Sequence, residues 1–305
     1  MKASVIILTK NGQASIGRCL DKVCNQSTKH DYEVIIIDSG SVDATLDIIK
    51  NYPVKLYKIP PEDFGHSSTR NLGVSLAAGQ LLIYLSQDAE PSNENWLDSI
   101  TRPLLEDPLV GAVFGRHIPM PEADPVNRFR IQWIYGSTYL IKDKNTGFKF
   151  PREIFSFSDA NAAVRKDLLR QFPFREDILF CEDVYLAKQI LTHGHKIAYT
   201  PLAAVLHSHN HGIYGAFSRH FDIAVAYRKI GILEQNRKIA KEGKKYIWEE
   251  LKYLLRNRDF PWVPYSLINN LVKYLGFKAG CAERFIPLPI KKKISQYWYK
   301  EKRYA

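Results

Sequence analysis

The chain has few cysteines and lacks a long apolar run. Its 305 residues contain four cysteines, Cys19, Cys24, Cys181 and Cys281, and no two of them form a CxxC pair. This spacing argues against a zinc site built on sulfur and fits a reducing compartment. No stretch reaches the roughly 18 apolar residues that a membrane helix needs, and the N-terminus has no signal-peptide core. We therefore expect a cytoplasmic protein that does not span a membrane.

The sequence also lacks two common phosphate-binding patterns, and it has no internal repeat. Neither GxGxxG nor GxxxxGK followed by Ser or Thr occurs in the chain. Their absence argues against a dinucleotide-binding fold with the usual fingerprint and against a P-loop NTPase. Any phosphate group must therefore be bound by other means.

Acidic residues are scarce only in the last part of the chain. Residues 1–227 carry 24 Lys and Arg against 25 Asp and Glu, a net charge of −1, whereas residues 228–305 carry 19 against 7, a net charge of +12. We predict a near-neutral domain at 1–227 and a basic, mainly helical region at 228–305. A basic region needs an anionic partner or serves solubility. Nucleic acid is not the expected partner, because the larger domain is near neutral and no recognised binding motif is present.

What the sequence does contain is a series of short apolar runs that alternate with helical patterns. The runs at residues 2–9, 33–38, 54–59 and 81–86 each have the length of a buried strand. Further strands are predicted at 110–115, 155–164, 195–201 and 203–206, and Leu72 and Leu76 are expected to face inward on the helix that precedes residue 79. Strands that alternate with helices in this way predict an α/β fold with a mostly parallel central sheet and helices on both faces.

One of these runs is followed by a carboxylate at a position where α/β proteins bind ligands. Five apolar residues, 81–85, are followed closely by Gln87 and Asp88. In open α/β sheets, ligands bind at the carboxyl ends of the strands. An acid at a strand end is also common as a helix cap or a solvated loop residue, so Asp88 by itself is a weak indication.

Other polar groups could complete a site with Asp88. Asp183 begins a predicted helix about a hundred residues later, and a histidine cluster at residues 207–211 follows the last predicted strand. Oxygen and imidazole ligands without thiolates favour Mg²⁺ or Mn²⁺. Arg70 at a helix start can meet a phosphate. Each group also fits a structural role: helix N-terminal charge for Asp183, a surface ion pair for Arg70, an exposed polar loop for the histidines.

Taken together, the motifs resemble a known family. They are SVIILTKN (4–11), VIIIDSGSVD (34–43), TRNLG (69–73), QDA (87–89) and ED (182–183). Their order is similar to that of glycosyltransferase family 2, whose members have the GT-A fold, and the resemblance extends to about residue 230. The segments HSHN (207–210), RHFDI (219–223) and YLGFKAG (274–280) are similar to the bacterial rhamnosyltransferase branch, which uses dTDP-L-rhamnose.

The resemblance implies an inverting transfer of L-rhamnose from dTDP-L-rhamnose to a lipid-linked glycan in bacterial surface polysaccharide synthesis, on the inner face of the membrane. A different nucleotide sugar remains open as the donor. A second alternative is a sugar-nucleotide-binding protein without transfer activity. A homodimer is compatible with each of these interpretations.

The resemblance also assigns roles to particular positions. The general base would be Asp183, and Asp88 would hold Mg²⁺ or Mn²⁺, with His209 as a further ligand because Gln87 stands where an acid is more common. The residues implied for donor binding are Thr9, Asn11, Asp38, Arg70, Gln87 and Asp88. Those implied on the acceptor side are Trp133, Tyr135, Asp159, Asn161 and Glu182.

The C-terminal region carries two further patterns. Residues 266–276 have amphipathic spacing, with Leu267, Leu271 and Leu275 on one stripe of a predicted helix. Residues 291–304 interleave cations with aromatic rings, which is typical of segments that contact anionic membranes. The alternative is that these helices pack on the catalytic domain or form a homodimer.

Overall fold

The structure, a computed structural model, describes residues 2–147, 156–178, 180–233 and 239–296. The chain divides into two compact units. The first, here called the sheet unit, comprises Met1–Ile118, Tyr135–Glu176 and Glu182–His207. The second, here called the helical unit, comprises Pro119–Ile134, Asp177–Cys181 and Ser208–Ala305.

The sheet unit is built on a nine-stranded sheet. Its strands are β1 (Ala3–Thr9), β2 (Tyr32–Asp38), β3 (Lys55–Lys58), β4 (Leu81–Ser86), β5 (Glu90–Pro91), β6 (Val110–Ile118), β7 (Leu140–Lys142), β8 (Asn161–Arg165) and β9 (Lys196–Leu206). Their order is β3-β2-β1-β4-β8-β6-β9-β5, and β7 pairs with β9. The first four strands, β6 and β9 run in one direction, while β5, β7 and β8 run in the other. The predicted α/β fold with a mostly parallel sheet is confirmed.

The described helices follow in chain order. They are α1 (Ile16–Cys24), α2 (Thr45–Ile49), α3 (His66–Leu76), α4 (Trp96–Glu106), α5 (Pro125–Ile134), α6 (Lys144–Gly147), α7 (Lys166–Gln171), α8 (Glu182–Thr192), α9 (Ile213–Ile230), α10 (Ile239–Arg256), α11 (Trp262–Cys281) and α12 (Leu288–Ile294). Short 3₁₀ helices lie at Pro61–Asp63 and Glu283–Phe285.

The central strands form the core because they are apolar on both faces. Ile6 and Ile7 of β1 and Leu82 and Ile83 of β4 are fully buried. Strands covered by helices on both faces carry such continuous apolar runs. Burying one of these side chains stabilises the fold by roughly 1.5–3 kcal/mol.

Helix α3 packs differently from what its sequence suggests. The pattern predicts Leu72 and Leu76 as its inward residues, but the helix buries Ser67, Thr69, Gly73 and Val74 instead. A Cβ at Gly73 would lie 2.9 Å from Ile6 Cγ2, so α3 approaches β1 too closely for a large side chain at that position.

Two strand predictions also need correction. The apolar pattern predicts a strand over 155–164, but β8 begins only at Asn161, and residue 155 lies outside the described chain. Two separate pieces are predicted at 195–201 and 203–206, but β9 is one strand despite Pro201. A proline can lie in a strand where its missing N–H is not needed for pairing.

The sheet order reverses at β1, and this reversal predicts a crevice at one edge of the sheet. The chain leaves β1 for β2 on one side, whereas β4 pairs on the opposite side of β1. A reversal of strand order of this kind opens a gap beyond the carboxyl ends of the strands, where ligands bind in α/β proteins. Thr9, Asp38 and Ser86 are the last residues of the three strands that meet there.

The helical unit is held together by close contact between α9 and α11. A Cβ at Gly276 would lie 2.4 Å from the carbonyl oxygen of Phe217, and one at Gly280 would lie 2.3 Å from that of Phe221.

The predicted domain boundary at residue 227 falls within α9, and that division of the chain stays a prediction. In the part of the chain that the structure describes, no helix combines the length and apolar character needed to cross a bilayer.

Candidate active site

Thr9 and Gln87 meet where β1 and β4 end. The Thr9 hydroxyl donates a hydrogen bond to Gln87 Oε1 at 2.5 Å, and the backbone N–H of Lys10 donates to the same oxygen at 3.1 Å. Gln87 Nε2 donates in turn to the Lys10 carbonyl at 3.3 Å. The amide of Gln87 therefore holds the loop after β1 against the end of β4.

Asp38 and Asn11 organise the two neighbouring loops. One carboxylate oxygen of Asp38 accepts hydrogen bonds from the backbone N–H groups of Gly40 at 3.0 Å and Ser41 at 3.1 Å. Gly40 has a φ of +82°, in the left-handed region that favours glycine. The N–H of Asn11 donates to Ser41 Oγ at 2.9 Å, while Asn11 Oδ1 accepts from the N–H of Val42 at 2.9 Å. The structure thus brings four of the predicted donor-binding residues to one edge of the sheet.

Asp88 faces a histidine at the same edge. Its Oδ1 lies 3.4 Å from Nε2 of His207, which directly follows β9. The Nδ1 atom of His207 lies 3.0 Å from Nδ1 of His117 in β6, so one of these nitrogens donates and the other accepts. The ring of Tyr135 stacks on His117 with centroids 4.2 Å apart. These four side chains form one connected chain of polar and aromatic groups.

Two of the predicted site residues belong to the helical unit. His209 follows His207 by two residues, is exposed, and accepts a hydrogen bond at its carbonyl from Asn127 Nδ2 at 2.7 Å. Trp133 lies in α5, where its ring is 5.7 Å from that of Phe129 and 5.9 Å from that of Tyr246. Its ring therefore contributes to packing within the helical unit.

Arg70 lies between two acids in the sheet unit. Its Nε is 2.8 Å from Asp159 Oδ2 and its Nη1 is 2.8 Å from Glu182 Oε1, while Nη1 also donates to the His66 carbonyl at 3.0 Å. The side chains of Arg70, Asp159 and Glu182 are only 13%, 11% and 8% exposed. The ion pairs are therefore buried, not surface pairs. Breaking such a pair leaves an uncompensated buried charge.

Asp183 lies beside this cluster in the first turn of α8. Its Oδ1 accepts a hydrogen bond from the N–H of Val184 at 2.7 Å. Burial raises the pKa of Asp183 well above its ordinary value, and the charges of Asp159 and Glu182 raise that pKa further. Burial likewise raises the pKa of Asp159 to about 6, against the opposing charge of Arg70. A carboxyl group with a raised pKa suits proton transfer near neutral pH.

Asn161 is fully buried at the start of β8. Its Oδ1 accepts a hydrogen bond from Trp96 Nε1 at 2.9 Å, and its Nδ2 donates to the Ala203 carbonyl at 2.8 Å. These contacts tie α4 and β9 to β8, so Asn161 acts within the core of the sheet unit.

Sequence reasoning missed His117 and did not separate His207 from its neighbours. His117 lies two residues beyond the strand predicted at 110–115, in the part of β6 that the apolar pattern does not reach, and no motif surrounds it. Its contact with His207 depends on the pairing of β6 with β9. The signal for His207 was its place as the first residue after β9, where a strand end points into the crevice.

Comparison with known proteins identifies the family. Residues 4–172 match the model described as glycosyl transferase family 2. The chain belongs to glycosyl transferase family 2. It is 31% identical over 303 residues to the O-antigen chain rhamnosyltransferase RfbN of Salmonella typhimurium. That alignment covers 97% of this chain and 95% of the relative. It is 32% identical over 275 residues to the O-antigen chain rhamnosyltransferase WbaN of Salmonella anatum, covering 89% of this chain and 87% of the relative.

The fold of this family 2 glycosyltransferase also matches a solved structure. The mannosyltransferase PcManGT from Pyrobaculum calidifontis, in complex with GDP-Man and Mn²⁺, aligns with a TM-score of 0.62 over 93% of this chain and 86% of that chain, at 17% identity. This likeness concerns the fold, which is GT-A. The predicted family, the GT-A fold and the glycosyltransferase activity are confirmed, and both Salmonella relatives bear out the resemblance to rhamnosyltransferases.

Proposed function

We propose that this glycosyltransferase moves L-rhamnose from dTDP-L-rhamnose to a lipid-linked glycan acceptor, with inversion, in the synthesis of an O-antigen or a similar surface polysaccharide. The observation that carries the proposal is 31% identity to an O-antigen chain rhamnosyltransferase across 97% of the chain. Identity over the whole length includes the segments after residue 172, beyond the family match.

The donor lies in the crevice at the carboxyl edge of the sheet. Thr9, Asn11 and Asp38 line the nucleoside pocket, and Gln87 keeps the loop after β1 in place. Their hydrogen bonds to one another support this role, since a pocket held before the ligand arrives loses less entropy on binding. The sugar diphosphate then extends toward Asp88.

Asp88 and His207 are the proposed ligands for Mn²⁺ or Mg²⁺, and the family resemblance adds His209 as a further ligand. The carboxylate oxygen of Asp88 lies 3.4 Å from the Nε2 atom of His207. Carboxylate and imidazole groups suit these ions, and the mannosyltransferase PcManGT is known in complex with GDP-Man and Mn²⁺. When bound, the ion neutralises charge on the leaving diphosphate. Gln87 is not among the ligands, because its amide oxygen already accepts from Thr9.

Asp183 is the general base. Its carboxylate takes the proton of the acceptor hydroxyl as that oxygen attacks the anomeric carbon of rhamnose. The bond from the anomeric carbon to the diphosphate oxygen breaks on the opposite face, which inverts the configuration. The raised pKa of Asp183 supports this role, because a stronger base removes the proton more readily.

Arg70 has a positioning role in this proposal, in place of the contact with the diphosphate that the family resemblance implied. Two of its nitrogens are committed to Asp159 and Glu182, and its charge limits how far the pKa of Asp183 rises. Asp159 and Glu182 thus contribute to the acceptor side indirectly, by their ion pairs with Arg70. Asn161 contributes indirectly too, by its hydrogen bonds in the core of the sheet unit. Tyr135 and Trp133 stay predictions for the acceptor side, and in the structure their rings contact His117 and Phe129 respectively.

The acceptor places the enzyme at the cytoplasmic face of the membrane. A lipid-linked glycan stays in the bilayer, so the enzyme must work at its surface. The basic C-terminal region, with 19 Lys and Arg against 7 acids over 228–305, supports attraction to anionic lipid. The cations and aromatic rings at 297–304 lie outside the described residues.

A thermal-shift panel tests the donor and the metal together. Purified full-length protein is heated with dTDP-L-rhamnose, UDP-glucose or GDP-mannose, each with and without Mn²⁺ or Mg²⁺. We expect the largest rise in melting temperature with dTDP-L-rhamnose plus a divalent ion, because a ligand that binds only the folded state stabilises it. A larger rise with another nucleotide sugar contradicts the proposed donor. Binding without any transfer would identify a sugar-nucleotide-binding protein instead.

A further inference from the structure

Helix α11 has its apolar and polar sides reversed with respect to the protein interior. Its buried positions are Ser266, Asn269, Gly276 and Gly280. Its large exposed side chains, here called the apolar face, are Leu267 at 49%, Ile268 at 53%, Leu271 at 57%, Tyr274 at 56% and Leu275 at 48% exposure. At 3.6 residues per turn these five lie within about 120° of the helix circumference. The apolar stripe of a helix on a water-soluble protein normally faces the core.

The reversed arrangement is imposed by the contact with α9. Any Cβ at Gly276 or Gly280 would lie within 2.4 Å of a backbone carbonyl oxygen of α9, so only glycine fits at these points. Rotation of α11 to bury its leucines would drive large side chains into that contact. Small residues between helices with leucines on the outside are typical of helices in lipid.

The residues after α11 also expose large apolar side chains, and they add positive charge. Phe285 is 74% exposed, Leu288 44% and Ile290 50%. Residues 262–296 contain six Lys and Arg but one acid, a net charge of +5. An apolar helix face flanked by cations is typical of segments that lie in the interface of an anionic bilayer.

We infer that the apolar face of α11 inserts into the headgroup boundary of an anionic lipid bilayer, with the helix lying along the surface. This inference deepens the proposed function and rests on it, because a lipid-linked acceptor requires the enzyme to work at a membrane. The inference assigns the insertion into the bilayer to α11, which lies within the described residues. It does not assign that insertion to the basic, aromatic segment at residues 291–304. A second copy of the chain fits the face less well, because joining two such surfaces would bring like charges together.

Vesicle flotation of the full chain tests the inference. The Leu267→Glu/Leu271→Glu variant should bind vesicles of phosphatidylcholine and phosphatidylglycerol roughly tenfold more weakly for each leucine removed from the lipid. Both side chains are about half exposed and glutamate is a good helix former, so the fold should persist. The matched control is Leu109→Glu in the sheet unit, where Leu109 is 50% exposed, and it should float like the wild type.

Three results would overturn the inference. They are a wild type that does not float, a double variant that floats as well as the wild type, and equal flotation with vesicles of phosphatidylcholine alone. Sedimentation equilibrium without lipid adds a fourth: a wild-type dimer that the double variant converts to a monomer would make the face an interface between copies. Donor binding is followed separately by thermal shift, so flotation without a dTDP-L-rhamnose response would refute the proposed donor and leave this inference standing.

Discussion

Strand β4 and helix α11 arrange apolar residues in opposite ways. In β4, Leu82 and Ile83 are fully buried and the polar groups begin where the strand ends. In α11, Ser266 is fully buried while Leu271 is 57% exposed. In the sheet unit the apolar residues hold the fold and the polar residues mark the site. In α11 the small and polar residues make the internal contact, and the apolar residues mark a surface.

The two regions have different roles in the proposed function. We propose that the polar edge of the sheet unit carries out the transfer and that the outward leucines of α11 bring the enzyme to its lipid-linked acceptor. Variants that disable one should leave the other intact.

The largest effect is expected from Asp183→Asn, which alters the chemistry of the sheet unit alone. Loss of the base should lower the rate of rhamnose transfer by about 10²–10⁴-fold, with flotation unchanged. Initial rates measure the loss. The control Asp47→Asn removes an exposed acid that pairs with Lys50 and should keep the wild-type rate. A wild-type rate in Asp183→Asn would remove this residue from the mechanism.

Arg70→Met should give the next largest effect, by leaving Asp159 and Glu182 without their buried partner. Breaking such a pair costs about 3–5 kcal/mol of folding free energy, measurable by denaturant unfolding. The positive charge of Arg70 lowers the pKa of Asp183, so its removal raises that pKa. Because the base works only when deprotonated, the acidic limb of the pH–rate profile should move to higher pH. Arg70→Lys keeps the charge, so a profile displaced equally in both variants would argue against this electrostatic role.

Gly280→Ala probes how α11 is held in the helical unit. The new methyl group would meet the Phe221 carbonyl, so we expect a loss of roughly 1–3 kcal/mol in unfolding free energy. Gly243→Ala in α10 is the matched control, because no atom beyond its chain neighbours and its own helix backbone lies within 4 Å of its Cβ position. That control should gain up to about 1 kcal/mol from helix propensity. Equal stability of the two variants would mean that close backbone contact does not fix α11.

The smallest of these effects is expected from His207→Ala. Loss of one proposed ligand should weaken Mn²⁺ binding about tenfold or more, since even loss of a group that only hydrogen-bonds a metal ligand typically costs about 10–100-fold. The concentration of Mn²⁺ that gives half of the donor-dependent thermal shift measures this change. His193→Ala, at an exposed histidine of the sheet unit, should have no effect. An unchanged Mn²⁺ requirement in His207→Ala would show that His207 is not a ligand of the metal ion.

Much of the sheet unit could be predicted from local patterns. The apolar run at 81–85 followed by Gln87 and Asp88 indicates a buried strand with a ligand at its end, because burial and strand length are local properties. The partners of Arg70 could not be predicted in this way, since Glu182 lies 112 residues away in sequence. The same holds for the contact of His117 with His207, which are 90 residues apart.

The helical unit shows a different limit. The spacing of Leu267, Leu271 and Leu275 predicts a stripe on a helix, and the helix is present. Periodicity cannot tell which side of the stripe faces the protein. That is decided by the contact of Gly276 and Gly280 with α9, which requires the tertiary structure.

The most direct test of the central claim is transfer of label from radiolabelled dTDP-L-rhamnose to bacterial membrane lipids. Wild-type protein with Mn²⁺ is compared with Asp183→Asn, and with labelled UDP-glucose and GDP-mannose as donors. We predict label in the lipid fraction only for the wild type with dTDP-L-rhamnose. Equal labelling by Asp183→Asn, or labelling from another donor alone, would contradict the account.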